Sequence, residues 1–470
     1  MANPAPQSQA EMRQRNLSRV LHTLAAEGPL SRADVAARIG LTRAAVSTLV
    51  EELLRGGLLV ERGPGRSGAV GRPGTQLLPA DRGPAGMGAE IGVDHLAVCV
   101  MDLRGEVRVR IGQESGNQGS EPAAVLGALD AMLRRATSEA AAVGLRPVGL
   151  TVAVPGLVLR DSATVLRAPN LGWSGIDLAP LLPAGPAAGG TAAGNAMPYA
   201  AGKAVENAAG DAAGKGAGGA VGFVAVENEA NLGALAELWS AAHPPGGPAT
   251  PGGPAAAGGP AGPDGPADGL ADGPADGLAD SAADSFVYVS AAIGIGAAVV
   301  VDGELLRGAH GFAGELGHMP VRPGGRPCSC GGRGCLEAYA GEEAVLRAAG
   351  LTPGPGVRLG ALTVRCEAGE PAALRAVREA GTALGIALSG AVNLLDPRRV
   401  VIGGPLARLG PWLLPPVRRE LARRTAVAAG GRSTPVPVTA SPLGPDGPLL
   451  GAARSAVRAA LDSPGTLLAR

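Results

Sequence analysis

Lysine is almost missing from this chain. Lys203 and Lys215 are the only two, so arginine supplies nearly all of the positive charge. That bias, with the excess of Ala, Gly and Pro, reads as genome base composition before any binding role. Net charge is missing as well: 41 basic side chains balance 41 acidic ones. A global electrostatic case for a nucleic-acid partner is therefore excluded, and any such case must be local. Long hydrophobic runs are absent. The longest uncharged apolar stretch, Phe286 to Val301, falls short of the ~20 residues of a membrane span and is broken by Gly294 and Gly296. The first ten residues are polar, so no secretory signal is expected there. Cysteine is scarce: Cys99, Cys328, Cys330, Cys335 and Cys366 are all there are. Three of them lie within eight residues, too tight for a disulfide framework. That spacing suits a metal site in a reducing cytosol, so a cytoplasmic protein without a membrane partner is expected.

The chain has 470 residues. Single cores rarely grow past roughly 250–300 residues, so two or three domains are expected. Residues 12 to 60 read as three short helices. Leu17, Val20, Leu21 and Leu24 form the stripe of an amphipathic helix that Gly28 and Pro29 end. Ser31 is placed to cap a second helix, with Asp34 three residues on and Val35 and Ile39 facing inward. Gly40 suits a sharp turn, and Thr42 caps a third helix whose apolar face is Ala45, Val46, Leu49, Val50, Leu53 and Leu54. A strand at Leu58, Leu59 and Val60 and a Gly/Pro/Arg loop from Arg62 to Pro73 follow, shaped like a wing tip.

Helix, helix, glycine turn, helix is the helix-turn-helix order. The third helix would enter the major groove with Thr42, Arg43, Ala44, Ser47 and Thr48 on bases or phosphates of a double-stranded operator. Residues 1–82 carry eleven arginines against seven acids. The wing holds Arg62, Arg66 and Arg72, the last in Gly71-Arg72-Pro73-Gly74, and suits a minor groove. A small three-helix protein-interaction module is the competing reading. The arginines on the third helix and wing favour DNA.

From about Gly88 strands alternate with helices, the pattern of an α/β fold. Strands are expected at Ala89–Val93, Leu96–Met101, Pro147–Ala153, Phe223–Val226, Phe286–Val289, Gly296–Val301 and Val400–Ile402. Helices are expected at Pro122–Val143, Asn231–Ala241, Gly341–Ala349 and Pro371–Leu395. Residues 183–220 and 241–285 are Ala/Gly/Pro-rich with almost no large apolar side chains, and read as flexible insertions. The repeat Asp264–Ala271, Asp272–Ala279 within the second reads as replication slippage, since two copies are too few for a calcium-binding coil.

One motif carries chemistry outright. His318-x9-Cys328-x-Cys330-x4-Cys335 supplies one imidazole and three thiols, a standard tetrahedral zinc set. Four protein ligands leave no open position, so the zinc would be structural. Reactive or idle thiols are the alternative. Nearby carboxylates and amides, Asn228, Glu315 and Glu337, suit the ring of donors and acceptors that a sugar presents. His318 has two ring nitrogens, one for the metal and one for a hydroxyl.

Here the chain resembles the repressor branch of the ROK family, which groups transcriptional repressors with sugar kinases. The resemblance rests on Val154-Pro155-Gly156, Ala168-Pro169-Asn170-Leu171-Gly172-Trp173, Glu227-Asn228-Glu229-Ala230-Asn231, Gly314-Glu315-Leu316-Gly317-His318 and Cys328 through Glu337. It implies a sugar site lined by Asn170, Asn228, Glu229, Glu315, His318 and Glu337. It also implies a two-lobed, actin-like (ribonuclease H-like) α/β body behind the winged helix-turn-helix at 1–82. Lobe one would span 88–226, with a C-terminal helix in 446–470 returning to it. Lobe two would span 227–445 and hold the zinc.

The family's kinases carry Asp-x-Gly-Gly-Thr near the start of this body. Glu90-Ile91-Gly92-Val93-Asp94 stands there, with Val93 restricting phosphate approach and Asp94 set to repel a polyanion. A second phosphate loop, Gly-Thr-Gly in kinases, reads Ala292-Ile293-Gly294. The kinase base is Asp; here it is Glu229, one methylene longer. Hydroxyl binding survives these changes. The expectation is a sugar-sensing transcriptional regulator of carbohydrate genes, a homodimer or tetramer, without kinase activity. The alternatives are a sugar kinase that also binds DNA and a repressor blind to sugar.

Overall fold

Every helix of the N-terminal head begins at a residue able to hold a free backbone N–H. Ser8 caps α1 (Gln9–Glu27), and its carbonyl-side partner Glu11 reaches back to complete a capping box. Ser31 does the same with Asp34 for α2 (Arg32–Ile39), and Gly40 ends that helix in the left-handed region at φ 68°. The Thr42 hydroxyl accepts from the Ala45 N–H at 3.2 Å and starts α3 (Arg43–Arg55). Strands β1 (Leu30–Ser31), β2 (Leu59–Pro64) and β3 (Thr75–Pro79) form a small sheet in the order β1-β3-β2. The expected apolar stripes of the three helices are buried together, Leu54 only partly; Ala45, expected on the same face, is exposed at the first turn of α3. The head is a winged helix-turn-helix.

The computed structural model describes residues 8–64, 74–182, 223–241, 284–291, 293–354, 358–426 and 436–468. The expectations for 183–220, for 242–283, for the repeat at 264–279, for Ala292 and for the wing arginines Arg66 and Arg72 lie outside these.

Two five-stranded sheets follow, built on one plan. The first comprises β4 (Gly83–Ile91), β5 (His95–Asp102), β6 (Val107–Glu114), β7 (Leu145–Val154) and β11 (Val224–Asn228), in the order β11-β7-β4-β5-β6. Between them come α4 (Pro122–Ala142) and a meander of β8 (Leu157–Val158), β9 (Thr164–Ala168) and β10 (Trp173–Asp177). The second sheet comprises β12 (Phe286–Ala291), β13 (Ile295–Val301), β14 (Glu304–Leu306), β15 (Arg399–Gly403) and β16 (Val438–Ala440), in the order β14-β13-β12-β15-β16. In each, the first three strands form an antiparallel run and the last two add in parallel on the other side of the first. Helix α5 (Glu229–Ala241) lies on the second sheet. The other helices are α6 (Glu337–Ala340), α7 (Glu342–Ala348), α8 (Leu359–Glu367), α9 (Pro371–Leu395), α10 (Gly410–Arg424), α11 (Gly447–Asp462) and α12 (Gly465–Leu468).

The expected strands and helices appear, most of them longer than their apolar centres suggested. Helix α10 had no counterpart in the sequence reading, because Pro415 and Pro416 sit inside it. Packing compensates. Gly381 of α9 leaves a hollow that the Pro416 ring fills, and the two helices cross closely there.

Helix α11 returns from the far end of the chain to the first sheet. A Cβ at Gly88 would stand 2.4 Å from the Ala453 nitrogen, so the helix rests directly on the strand backbone. Gly88→Ala is therefore expected to destabilise the chain by about 1–3 kcal/mol through overpacking, read as a fall in Tm. Beyond that contact α11 joins the head. Leu449, Ala453, Val457 and Leu461 share one core with Leu17, Leu21 and Leu24 of α1 and with Cys99 and Met101 of β5. His22 and Asp462 pair at 2.6 Å, and the Gly465 N–H donates to Gln14 at 3.0 Å.

Candidate functional site

A cavity of about 160 Å³ lies between the two sheets, and it gathers all six residues expected to hold sugar. Asn170 comes from the loop after β9, and Asn228 and Glu229 from the β11–α5 junction. Glu315 and His318 come from a short turn, Glu337 from the start of α6. The volume is below the roughly 300 Å³ of a drug-sized pocket. Some groups are already engaged. Asn228 donates to the Gly156 carbonyl at 2.7 Å and its side-chain oxygen accepts from the Ala230 and Asn231 N–H groups, capping α5. Glu337 accepts from the Ile295 N–H at 3.1 Å and from the Ser329 hydroxyl at 3.3 Å. Glu315 faces His318 Nε2 at 3.7 Å.

Glu229 makes no hydrogen bond within the described residues. Burial, and after it the Glu90 carboxylate, push its carboxyl up to about 7, against an opposing effect of His95. The folded chain therefore holds a proton there that the unfolded chain, titrating near 4.5, has already released. Stability drains from this group as pH rises through that window and stays lower above it. Glu229→Gln is expected to raise Tm over the parent at about pH 8 and to give no gain below 4.5.

Behind the sugar wall stand the cysteines. His318 Nδ1 is 3.7 Å from Cys328 Sγ, Cys330 and Cys335 are 3.7 Å apart, and all four ligand atoms lie within 4.8 Å of one another. Thiolates bound tetrahedrally at ~2.3 Å are about 3.8 Å apart, so the cluster has the dimensions of a four-ligand metal site. The nitrogen turned to the cluster is Nδ1; Nε2 is left for the cavity.

Two residues that no motif singled out also line this cavity. Arg167 of β9 lines the cavity and donates to the Ser329 carbonyl at 3.4 Å, reaching from one sheet to the metal loop. Ser329, between two cysteines, joins that loop to Glu337. Arg167 stands immediately before the Ala168–Trp173 motif; nothing in the sequence tied it to Ser329.

A wider cleft of about 550 Å³ adjoins the cavity, lined by Val93, Asp94, His95, Ser290, Arg358, Gly404 and the start of α11 among others. Here one expectation fails. Asp94 is no bare carboxylate aimed at a polyanion: it pairs with His95 at 2.9 Å and with Arg358 at 3.1 Å. The His95 bond, aided by Arg358, holds Asp94 below the usual carboxylate range. Asp94 and then Glu90 push His95 up to about 10, so it stays protonated. The imidazole lies over Gly92, where a Cβ would stand 2.2 Å from the ring.

On the head, Thr42, Arg43, Ala44 and Thr48 are exposed and Ser47 half-exposed along the start of α3. Arg43 has no ion-pair partner among the described residues. Ser47 and Thr48 donate to the Arg43 and Ala44 carbonyls at 2.9 and 3.2 Å, so they present acceptors outward.

The model of the ROK family matches residues 86–185 and 275–458, which take in most of both sheets and the cysteines and leave out β11, Asn228 and Glu229. The chain belongs to the ROK family. In this ROK chain residues 15–68 match the MarR family model, which covers the head. The xylose repressor of Caldicellulosiruptor bescii is 26% identical over 432 residues, covering 89% of this chain and 90% of that protein. A solved ROK family transcriptional regulator, described as a homologue of the Escherichia coli MLC protein, superposes with TM-score 0.67 at 21% identity. It covers 98% of this chain and 100% of that one. A ROK family glucokinase from Streptomyces griseus, solved with glucose and AMPPNP, gives TM-score 0.54 at 23% identity over 79% of this chain and 98% of that one. The body thus has the ROK actin-like fold, and the full-length superposition includes the head. Among the described residues no helix is long and apolar enough to cross a membrane.

Proposed function

We propose that this ROK chain is a sugar-responsive DNA-binding repressor. Its cavity would take one monosaccharide, and its cleft no triphosphate. The observation that carries this is the continuity of the fold: the sugar wall and the DNA-reading head are joined through one helix. Asn228 and Glu229 begin α5. Gly451 of α11 lets that helix touch the Leu232 backbone of α5, where a Cβ would lie 2.0 Å from the carbonyl oxygen. The same α11 then enters the core of the head. A sugar that prefers one arrangement of the cavity thereby biases the head, and by linkage operator DNA biases sugar affinity equally.

Asn170, Asn228, Glu229, Glu315, His318 and Glu337 would hold the hydroxyls. Cys328, Cys330, Cys335 and His318 Nδ1 would hold a zinc ion, whose contribution is to fix the loop and the imidazole plane and not to do chemistry. Thr42, Arg43, Ala44, Ser47 and Thr48, with Arg66 and Arg72 of the wing, would read the operator. Two heads in a homodimer would match half-sites about one helical turn apart, or a multiple of it. The kinase reading has support in the glucokinase superposition, but here the His95 ring lies over Gly92. The test is operator binding by the full chain against a panel of sugars, D-xylose and D-glucose included. The same panel is incubated with ATP and magnesium. Sugar-dependent release of DNA without phosphorylated sugar is expected; robust turnover would overturn the proposal.

A further inference from the structure

We propose that Arg358 is a tether that holds the two lobes together across the wide cleft, a positioning residue that belongs to neither the sugar site nor the head. Its guanidinium has one hand on each side. Nη2 is 3.1 Å from Asp94, in the turn between β4 and β5, and Nε is 3.1 Å from Glu342, the first residue of α7. A planar fork with separate donors suits such a bridge; a lysine's single ammonium does not.

Both anchors are stiff. The Asp94 turn is pinned by the Ser115 N–H on the Asp94 carbonyl at 2.9 Å and the Asn117 N–H on the Val93 carbonyl at 2.8 Å. The buried Asn117 amide adds a bond to the Gly92 carbonyl at 2.7 Å. On the other side only 3% of the Glu342 side chain is exposed. Among the described residues Arg358 is its only cationic partner. The charges explain why the bridge is needed. Arg110 and Arg408 also line the cleft, and Arg110 is engaged by Asp446. Without Arg358, Asp94 would keep only His95 and the buried Glu342 would lose its cation among the described residues. Arg358 thus links the turn after β4 to the start of α7 without any nucleotide.

The experiment uses the full chain with neither sugar nor DNA, so its result does not depend on the repressor reading. Hydrogen exchange is followed by mass spectrometry in the parent, Asp94→Asn, Arg358→Gln and the double variant. Peptides from the 92–96 turn and from the start of α8 report the two sides. Each single substitution is expected to speed exchange in both segments by about twofold to fivefold, the scale of a half-exposed ion pair. The double variant is expected to rise by less than the product of the two single ones, because the Asp94–Arg358 pair they share can be broken only once, while the His95 and Glu342 pairs are lost separately. Arg358→Lys, which keeps the charge and loses the fork, is expected to fall between parent and Arg358→Gln. Unchanged exchange in the single variants, a response on one side only, or a double variant whose rise is the product of the two would overturn the tether.

Discussion

Cys330→Ser is expected to release the metal and with it the response to sugar. A serine hydroxyl is not ionised at neutral pH and is a poor fourth ligand where a thiolate is needed. A structural zinc site of this class contributes about 10–16 kcal/mol of apparent binding free energy in small folded units, so the loss is not a local adjustment. Its consequence here can be traced. Cys330 follows Ser329, whose hydroxyl meets Glu337 and whose carbonyl meets Arg167. His318 loses the anchor that turns Nε2 toward the cavity. Two sides of the sugar wall should therefore loosen together. The second sheet should survive, because Val287, Val289, Val400 and Ile402 share one large core with α8, α9 and α10, of which only Leu316 and Leu336 adjoin the metal ligands. Zinc content measured by atomic absorption should drop from about one per chain to none, with circular dichroism nearly unchanged and the sugar effect on operator binding gone. A variant that keeps stoichiometric zinc would show that the ligand set is misassigned.

Arg43→Ala should weaken operator binding by about 1–3 kcal/mol, or roughly tenfold to a hundredfold, and relax preference at one base pair. Arg43 is the first residue of α3, exposed, and without an acid to hold it back. Its neighbours on the head are in a different position. Arg13, Arg32 and Arg38 are paired with Glu52, Glu61 and Glu27. Substituting those should alter stability slightly and leave base preference intact. Ser47 and Thr48 should matter less than Arg43, since their hydroxyl protons are given to the helix itself. Fluorescence anisotropy against an operator and its single-base variants checks this; unchanged binding by Arg43→Ala would refute the placement of α3 in the groove.

Three features were legible from residues alone. Capping residues and apolar spacing are local, so α1 to α3 were read almost to their ends. Ligand spacing is also local for the three cysteines, and the motif order carried the rest of the sugar wall. The electrostatics of Asp94 were misread for the opposite reason. A carboxylate in isolation repels phosphate; the same carboxylate between His95 and Arg358 does not, and no pattern near Asp94 announces a partner that lies in the other lobe. Helix α10 was missed because prolines are judged by what they cost the helix that carries them. The hollow at Gly381 that receives Pro416 belongs to a different helix.

The sequence by itself determined which segments become helices and strands, which thiols and imidazole can meet an ion, and which side chains can grip hydroxyls. Those properties follow from hydrogen-bond capacity, side-chain shape and short spacing. Only the tertiary structure decided which charges neutralise one another across the cleft, which nitrogen of His318 faces the cysteines, and that the head shares a core with α11. Coulomb pairing and packing depend on distances between residues hundreds of positions apart, and those distances exist only after the chain has folded.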